Sequence, residues 1–166
     1  DDDPSDGTAT GFDSILDAQD FAGGTFGFWN RQAIRFQGVN LVNRNSLLPD
    51  LRSSKTQGQL NFVNPGLFLL NVGADAEVLP EAKAVFNLNW LRFDATEPLE
   101  TFAFQRHISR TIGLDASLGL ISRPLLNNNV ILSVGAAAFF PQGGFEDLYD
   151  DRHALYSGFA QLTLVY

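Results

Sequence analysis

The chain has 166 residues, a formal net charge of −8, no cysteine and no methionine. The lack of cysteine excludes disulfide scaffolds, thiolate metal sites and thiol nucleophiles. An acidic chain with only two lysines, Lys55 and Lys83, is not suited to nucleic acid as a partner. No apolar run approaches the roughly 18 residues of a transmembrane helix, so only β-strands would carry this chain across a membrane.

The chain begins with an acidic, turn-rich stretch. Its carboxylates are oxygen ligands of the kind that calcium prefers, and the candidates are Asp1, Asp2, Asp3 and Asp6. The stretch lacks the ligand order and the closing glutamate of an EF-hand, so a calcium site and a solvated acidic loop both stay open. With no initiator methionine and no signal peptide, we expect a mature or excised segment of a longer product.

Between residues 23 and 64 the sequence shows no sustained periodicity, although 25–36 allows one irregular strand. We therefore predict that residues 1–65 form an acidic and irregular segment, either an extracellular loop or a segment inside a lumen. Guanidinium groups in a lumen would orient carboxylates or phosphates of a passing solute. The candidates are Arg31, Arg35, Arg44 and Arg52, and their alternative partners are the chain's own carboxylates.

After the turn signal Asn64-Pro65-Gly66, apolar residues recur with a period of two, which is typical of strands with two different faces. The five alternating segments are 67–78, 84–91, 110–123, 129–140 and 155–166. Their lengths suit the roughly 9–11 residues of a tilted transmembrane strand better than the mean soluble strand of about 5–6. We therefore predict that residues 66–166 are antiparallel transmembrane strands.

The connections between these segments alternate in length. Residues 79–81 and 124–128 read as tight turns, whereas 93–109 and 142–154 are long and charged. Short turns on the periplasmic side and long loops outside are the order of an outer-membrane barrel. If the chain ends in the periplasm at Tyr166, counting back places both tight turns on that side.

The two faces of the predicted strands have different partners in a membrane barrel. One face carries polar residues that we expect to line a lumen: Asn71, Asp75, Glu77, Asn87, Asn89, Asp115, Ser117 and Arg123. The other face carries alanine, leucine and valine, with aromatic residues near the strand ends that we expect at the membrane interface: Phe68, Trp90, Phe140, Tyr156 and Tyr166.

Four short motifs carry a family resemblance: Gly11–Ser14, Asp20–Gly24, Leu51–Lys55 and Asn61–Leu67. Together they resemble the C-terminal part of alginate-export-type outer-membrane β-barrel proteins. The resemblance implies a larger monomeric barrel that passes anionic polysaccharide or related solutes through an arginine-rich lumen. It also implies strands upstream of this chain.

No pattern of a catalytic or redox site is present. His107 and His153 lack a paired spacing and are predicted to be loop histidines. The serines lack a nucleophile-elbow context, and no glycine-rich phosphate loop precedes a helix. The acidic run Glu146–Asp151 is either a solvated loop or a site for calcium, which would also bridge lipopolysaccharide. We predict that the protein is not an enzyme and has no cofactor other than calcium as a candidate.

The expected fold is all-β: about five to six strands that form the C-terminal portion of a larger antiparallel transmembrane barrel. So few strands cannot close a membrane barrel, so the remaining strands must come from the same precursor or from another chain. The expected function is a porin-like channel in the bacterial outer membrane for passage or export of a polar, in particular anionic, solute. The alternatives are a structural barrel subunit that supports a surface or electron-transfer partner, and a soluble lipocalin-like binder.

Overall fold

A computed structural model describes residues 22–31, 67–124 and 129–165. In chain order the elements are a 3-10 turn (Gly24–Phe26), α1 (Phe28–Arg31), β1 (Leu67–Leu79), β2 (Ala82–Phe93), α2 (Glu97–Ala103), β3 (Thr111–Ser122), β4 (Val130–Pro141), α3 (Gly143–Tyr149) and β5 (Leu155–Leu164). The fold is all-β, with short helices in the connections. In the parts described, no helix has the length and apolar character needed to span a membrane.

The five strands form one antiparallel sheet in the order β1-β2-β3-β4-β5. This confirms the five strands predicted from the alternation, and the two long loops contain α2 and α3. The irregular strand proposed for residues 25–36 is wrong over its described part, because a 3-10 turn and α1 occupy residues 24–31. Within the described residues, β1 and β5 each have one neighbouring strand, so the sheet is open.

The pairing register keeps one face of the sheet apolar from edge to edge. Ala74, Phe86, Leu118, Ala136 and Gly158 form one row across all five strands. Because a slip of one residue would exchange the two faces, this continuity depends on the correct register of all four strand pairs. We call this side the apolar face. Many of its large side chains are well exposed, from 38% for Leu120 to 75% for Tyr156.

The buried core lies on the opposite face, at the end of the sheet that carries the long loops. Leu91, Phe93 and Phe139 contribute from the strands, and Leu99 and Phe145 from α2 and α3. Phe139 stacks on Phe28 at 5.4 Å between ring centroids and contacts Phe145 at 5.1 Å. We call this side the docking face, because it is the one that other parts of the chain cover.

Ile112 departs from the predicted alternation. The sequence places it on the apolar face with Leu114, but the side chain is fully buried in the core cluster of the docking face. The register shifts here, since Leu91 pairs with Gly113 and Arg92 with Thr111. The extra residue is a β-bulge, which turns Ile112 away from solvent and towards the core.

The two long loops are tied to each other at the same end of the sheet. Asp147 of α3 accepts a hydrogen bond from the backbone N–H of Ser109 at 2.7 Å. Within the first loop, Glu100 of α2 accepts one from the N–H of Ile108 at 2.9 Å. Helices α2 and α3 each end on a left-handed residue, Phe104 and Asp150 respectively.

Phe104 provides a test of the loop geometry. Its side chain is 95% exposed and its φ is +53°, a conformation that glycine adopts without steric cost. We expect Phe104→Gly to raise the free energy of unfolding in urea by about 0.5–1 kcal/mol, because it relieves backbone strain without loss of packing. Phe104→Val is the matched control and should lower it, since a β-branched residue fits this conformation poorly. Equal effects of both changes would contradict the assigned cap.

Candidate functional site

Polar side chains of β2 and β3 converge on the docking face and are covered by residues 22–31, which we call the docked segment. Asn87, Asn89, Asp115 and Ser117 are all buried there, with Asn89 and Asp115 fully so. The 3-10 turn and α1 lie on β3 and β4, while Asn87 and Asn89 reach the segment from β2. This is the most polar buried region in the described part of the chain, and it is the candidate site.

Asp115 lies at the centre of the site and binds the docked segment through backbone groups. Its two carboxylate oxygens accept hydrogen bonds from the N–H of Phe28 at 3.2 Å and from that of Trp29 at 3.1 Å. The side chain of Asn89 also donates to it. A buried carboxylate is costly unless it is hydrogen-bonded, so these donors are necessary for its burial.

A second set of bonds fixes the beginning of the docked segment. The carbonyl oxygen of Ala22 accepts from the indole Nε1 of Trp29 at 3.0 Å and from the side-chain amide of Asn89 at 2.9 Å. The chain reverses here through Ala22, Gly23 and Gly24, all with positive φ. Gly23 lies close above Ser117, because a Cβ at Gly23 would be 2.9 Å from the Ser117 hydroxyl. The docked segment is therefore held together by its own Trp29–Ala22 hydrogen bond and is bonded to the sheet through Asn89.

Two glycines of the sheet, one in β3 and one in β4, leave room for an aromatic ring of the docked segment. Gly119 and Gly135 are direct partners in the β3–β4 register, and a Cβ on either would collide with the ring of Phe26. Phe26 is buried and also meets Phe159 edge-on at 5.9 Å. The glycine pair thus forms a flat seat for Phe26 on the docking face.

The remaining predicted lumen residues lie around this site or beyond it. Asn71 donates to Asn87 at 3.1 Å and to Asn89 at 2.7 Å, which extends the polar network to β1. Asp75 forms an ion pair with Lys83, and Glu77 is exposed. Arg123 is exposed after β3 and its backbone N–H donates to Glu81. Solute contact thus stays a prediction for the exposed members, while the four buried ones contact the docked segment.

Several predicted residues lie outside what the structure describes. Arg31 ends α1, but its side chain is not described. The others outside the described residues are Arg35, Arg44, Arg52, Asp1, Asp2, Asp3, Asp6 and Tyr166. The predictions of solute-binding arginines and of an N-terminal calcium site therefore stay predictions.

Four predicted interface aromatics lie on the apolar face, towards the end with the long loops. Phe68 and Trp90 meet edge-on at 6.1 Å between β1 and β2. Trp90 pairs with Leu114, which pairs with Phe140, and Tyr156 follows on β5 one row nearer the sheet centre. They form a band across the sheet at one end of the strands.

Two carboxylates of the acidic run after β4, those of Glu146 and Asp151, bind groups of their own loop. Glu146 pairs with Arg152 at 3.1 Å, and Asp151 accepts from the backbone N–H and the ring of His153, each at 2.9 Å. These contacts, the backbone one first, lower the pKa of Asp151, so it stays ionised to lower pH than an ordinary aspartate. Within residues 22–31, 67–124 and 129–165, no three acidic, histidine or cysteine side chains are grouped to hold a metal ion.

Sequence reasoning did not identify the docked segment as a partner of Asp115. The residues that bond are 86 and 87 positions apart, and no local periodicity connects them. The available signal was weak: glycines at Gly119 and Gly135 on the polar face, facing the same side as Asp115. Glycines inside a strand often mark close approach of another part of the protein.

The glycine seat provides a test of the docking. Gly119→Ala should lower the free energy of unfolding by about 1–3 kcal/mol, because the new methyl group displaces the buried Phe26 ring. Gly158→Ala is the matched control on the apolar face, where a Cβ would meet nothing within 4 Å, and should change stability by less than about 0.5 kcal/mol. Urea unfolding of the refolded protein measures both, and equal losses would argue against the seat.

Comparisons of the chain with protein-family models, with curated proteins and with solved structures found no match. The function is therefore argued from the residues and their geometry.

Proposed function

We propose that the chain forms the C-terminal part of a transmembrane β-barrel in the bacterial outer membrane, a channel for passage or export of a polar, in particular anionic, solute. The observation that carries this proposal is the distribution of polarity across the sheet. The apolar face is exposed from β1 to β5, while the core and the buried polar groups lie on the other face. A lipid-facing wall with a polar interior has this arrangement.

The composition of the apolar face favours contact with lipid over contact with water. Its rows combine leucine, valine and phenylalanine with small residues, and in the described strands no charged residue lies in the rows from Trp90 to Ala84. An exposed apolar surface of this extent marks an interaction or membrane surface in most proteins. The aromatic band described above lies where a membrane interface would place it. A soluble lipocalin-like binder would instead bury its apolar face.

Strand length and parity also fit a barrel wall. The five strands have 10 to 13 residues each, enough to cross a bilayer at a tilt. An open edge in hydrocarbon leaves unpaired backbone groups, so β1 and β5 require further strands. Because single-chain bacterial barrels have an even number of antiparallel strands, the strands that complete the barrel beyond these five must be odd in number. Two copies of this five-strand sheet in the same orientation would meet in a parallel seam, because β1 and β5 run in the same direction.

The choice of an anionic solute rests on the arginines and not on the strands, because the docking face of the strands carries amides and carboxylates. The backbone of the docked segment reaches the first of these arginines, Arg31, at the end of α1. In the proposal, Arg31, Arg35, Arg44 and Arg52 attract and orient anionic groups of the solute.

A second candidate function is favoured by the filled docking face. The docked segment and the core cluster occupy space that an open pore would leave free. A barrel wall of this kind also suits a structural subunit that supports a surface or electron-transfer partner. The two candidates differ in whether the assembled barrel conducts ions.

Lipid contact is tested by the sign of a charge substitution. Leu118 lies in the middle of β3 on the apolar face and is 60% exposed. In a bilayer, Leu118→Arg should destabilise the folded protein by about 2–4 kcal/mol. In a soluble protein the same change at an exposed site would alter stability by less than about 0.5 kcal/mol.

The control is Gln161→Arg, an exposed position on the docking face of β5. Refolding into lipid vesicles across a urea series measures both variants. A small, equal effect of the two substitutions would remove the support for a lipid-facing wall.

Channel activity is tested in planar bilayers with the natural full-length protein. The proposal predicts single-channel steps and a reversal potential in a salt gradient that favours anions. Replacement of Arg31, Arg35, Arg44 and Arg52 by glutamine should reduce the anion preference, because it removes the positive charges from the interior. Insertion without current would favour the structural subunit, and extraction of the protein by a carbonate wash without detergent would exclude both.

A further inference from the structure

We propose that Asp115 is a positioning residue that holds the docked segment across the inside of the barrel wall, where the segment narrows the passage. This inference rests on the proposed channel function. It adds a structural element that restricts flow and a single side chain that keeps it in place.

The position of the docked segment in the topology supports a place inside the barrel. Leu67, the first residue of β1, pairs with Phe93, the last residue of β2. The strand β1 therefore begins at the end of the sheet with the long loops. Residues 22–31 precede β1 and lie on the docking face, opposite to the apolar face that the proposal assigns to lipid.

The contacts of the docked segment are made by buried groups on both sides. Trp29 is fully buried, and Phe26 and Phe28 are less than a tenth exposed. Phe28 stacks on Phe139 of β4, and Phe26 occupies the seat of Gly119 and Gly135. These contacts span the middle strands of the sheet, so the docked segment covers the centre of the wall.

Asp115 differs from the other residues that contact the docked segment, because no ion-pair partner in the described part of the sheet could take the place of the donors that the segment provides. Among the ion pairs of the described residues, none includes Asp115. Its partners are two backbone N–H groups of the docked segment and the amide of Asn89. If the segment leaves, the carboxylate loses two of its donors, and if the carboxylate is replaced, two buried N–H groups lose their acceptor. The docking and the burial of Asp115 therefore depend on each other.

The substitution that isolates this role is Asp115→Asn. The side chain keeps its size, but an amide NH₂ group replaces one of the two oxygens that face the donors. The matched control is Asp94→Asn, which removes the same charge at an exposed position directly after β2 that is not among the predicted lumen residues. Phe26→Ala is a second variant that weakens docking from the side of the segment and leaves every wall residue unchanged.

Docking is measured by the reactivity of a single thiol placed under the segment. The chain has no cysteine, and Ser117 is 3% exposed beneath Gly23. The Ser117 hydroxyl has no hydrogen-bond partner within the described residues, so Ser117→Cys removes no such bond. A charged, membrane-impermeant maleimide should label this thiol slowly. We expect labelling roughly tenfold faster, or more, when Asp115→Asn or Phe26→Ala is added, and unchanged with Asp94→Asn.

The same proteins, in full-length form and refolded into lipid, are then compared in planar bilayers. We expect Asp115→Asn and Phe26→Ala to increase single-channel conductance and Asp94→Asn to leave it unchanged. Fast labelling of the thiol in the Ser117→Cys protein without a second substitution would overturn the docking. Fast labelling in Asp115→Asn with unchanged conductance would overturn the narrowing, although the channel itself would stand. No current from any of the proteins would instead overturn the proposed channel and, with it, the narrowing.

Discussion

The structure depends on one constraint: four antiparallel strand pairs keep a register that separates the side chains of all five strands into two chemically different sets. The row from Ala74 to Gly158 is apolar throughout, whereas Asn71, Asn89 and Asp115 are neighbours on the other side. A shift of one residue in any pair would place carboxylates and amides among leucines. The buried core lies on the more polar face of the sheet, the reverse of the arrangement in most soluble sheets. The apolar face is exposed and is therefore available to a partner.

Burial of polar groups on the docking face requires a covering segment that supplies donors and acceptors. Asp115 and Asn89 are fully buried, and their bonds to Phe28, Trp29 and Ala22 satisfy groups that would otherwise destabilise the fold. The aromatic residues of the docked segment add apolar contact with Phe139 and with the glycine seat. Hydrogen bonds and apolar contacts thus act at the same place, which makes the docked segment an integral part of the packing on this face of the sheet. This combination is what relates the fold to the proposed control of passage.

The end of the sheet with the long loops is the more ordered in its side-chain contacts. Helices α2 and α3 pack onto it, and the bonds of Asp147 and Glu100 hold the loops in place. The opposite end carries the tight connection between β1 and β2 and fewer buried residues among those described. In the proposed barrel, this end of the sheet faces the outside of the cell and is covered by α2 and α3. The aromatic band of the apolar face lies at the same end.

The sequence by itself determined the strands, their order and the composition of both faces, because a period of two and turn residues such as Pro80 act locally and can be read along the chain. It did not determine the bulge at Ile112, since the extra residue is defined only by the pairing partner on β2. It also did not determine that residues 24–31 form short helical turns or that they cover Asp115. Those features depend on contacts between groups 86 and 87 positions apart, where the cost of burying a carboxylate and the space above two glycines select one conformation. Only the tertiary structure contains both sides of that contact.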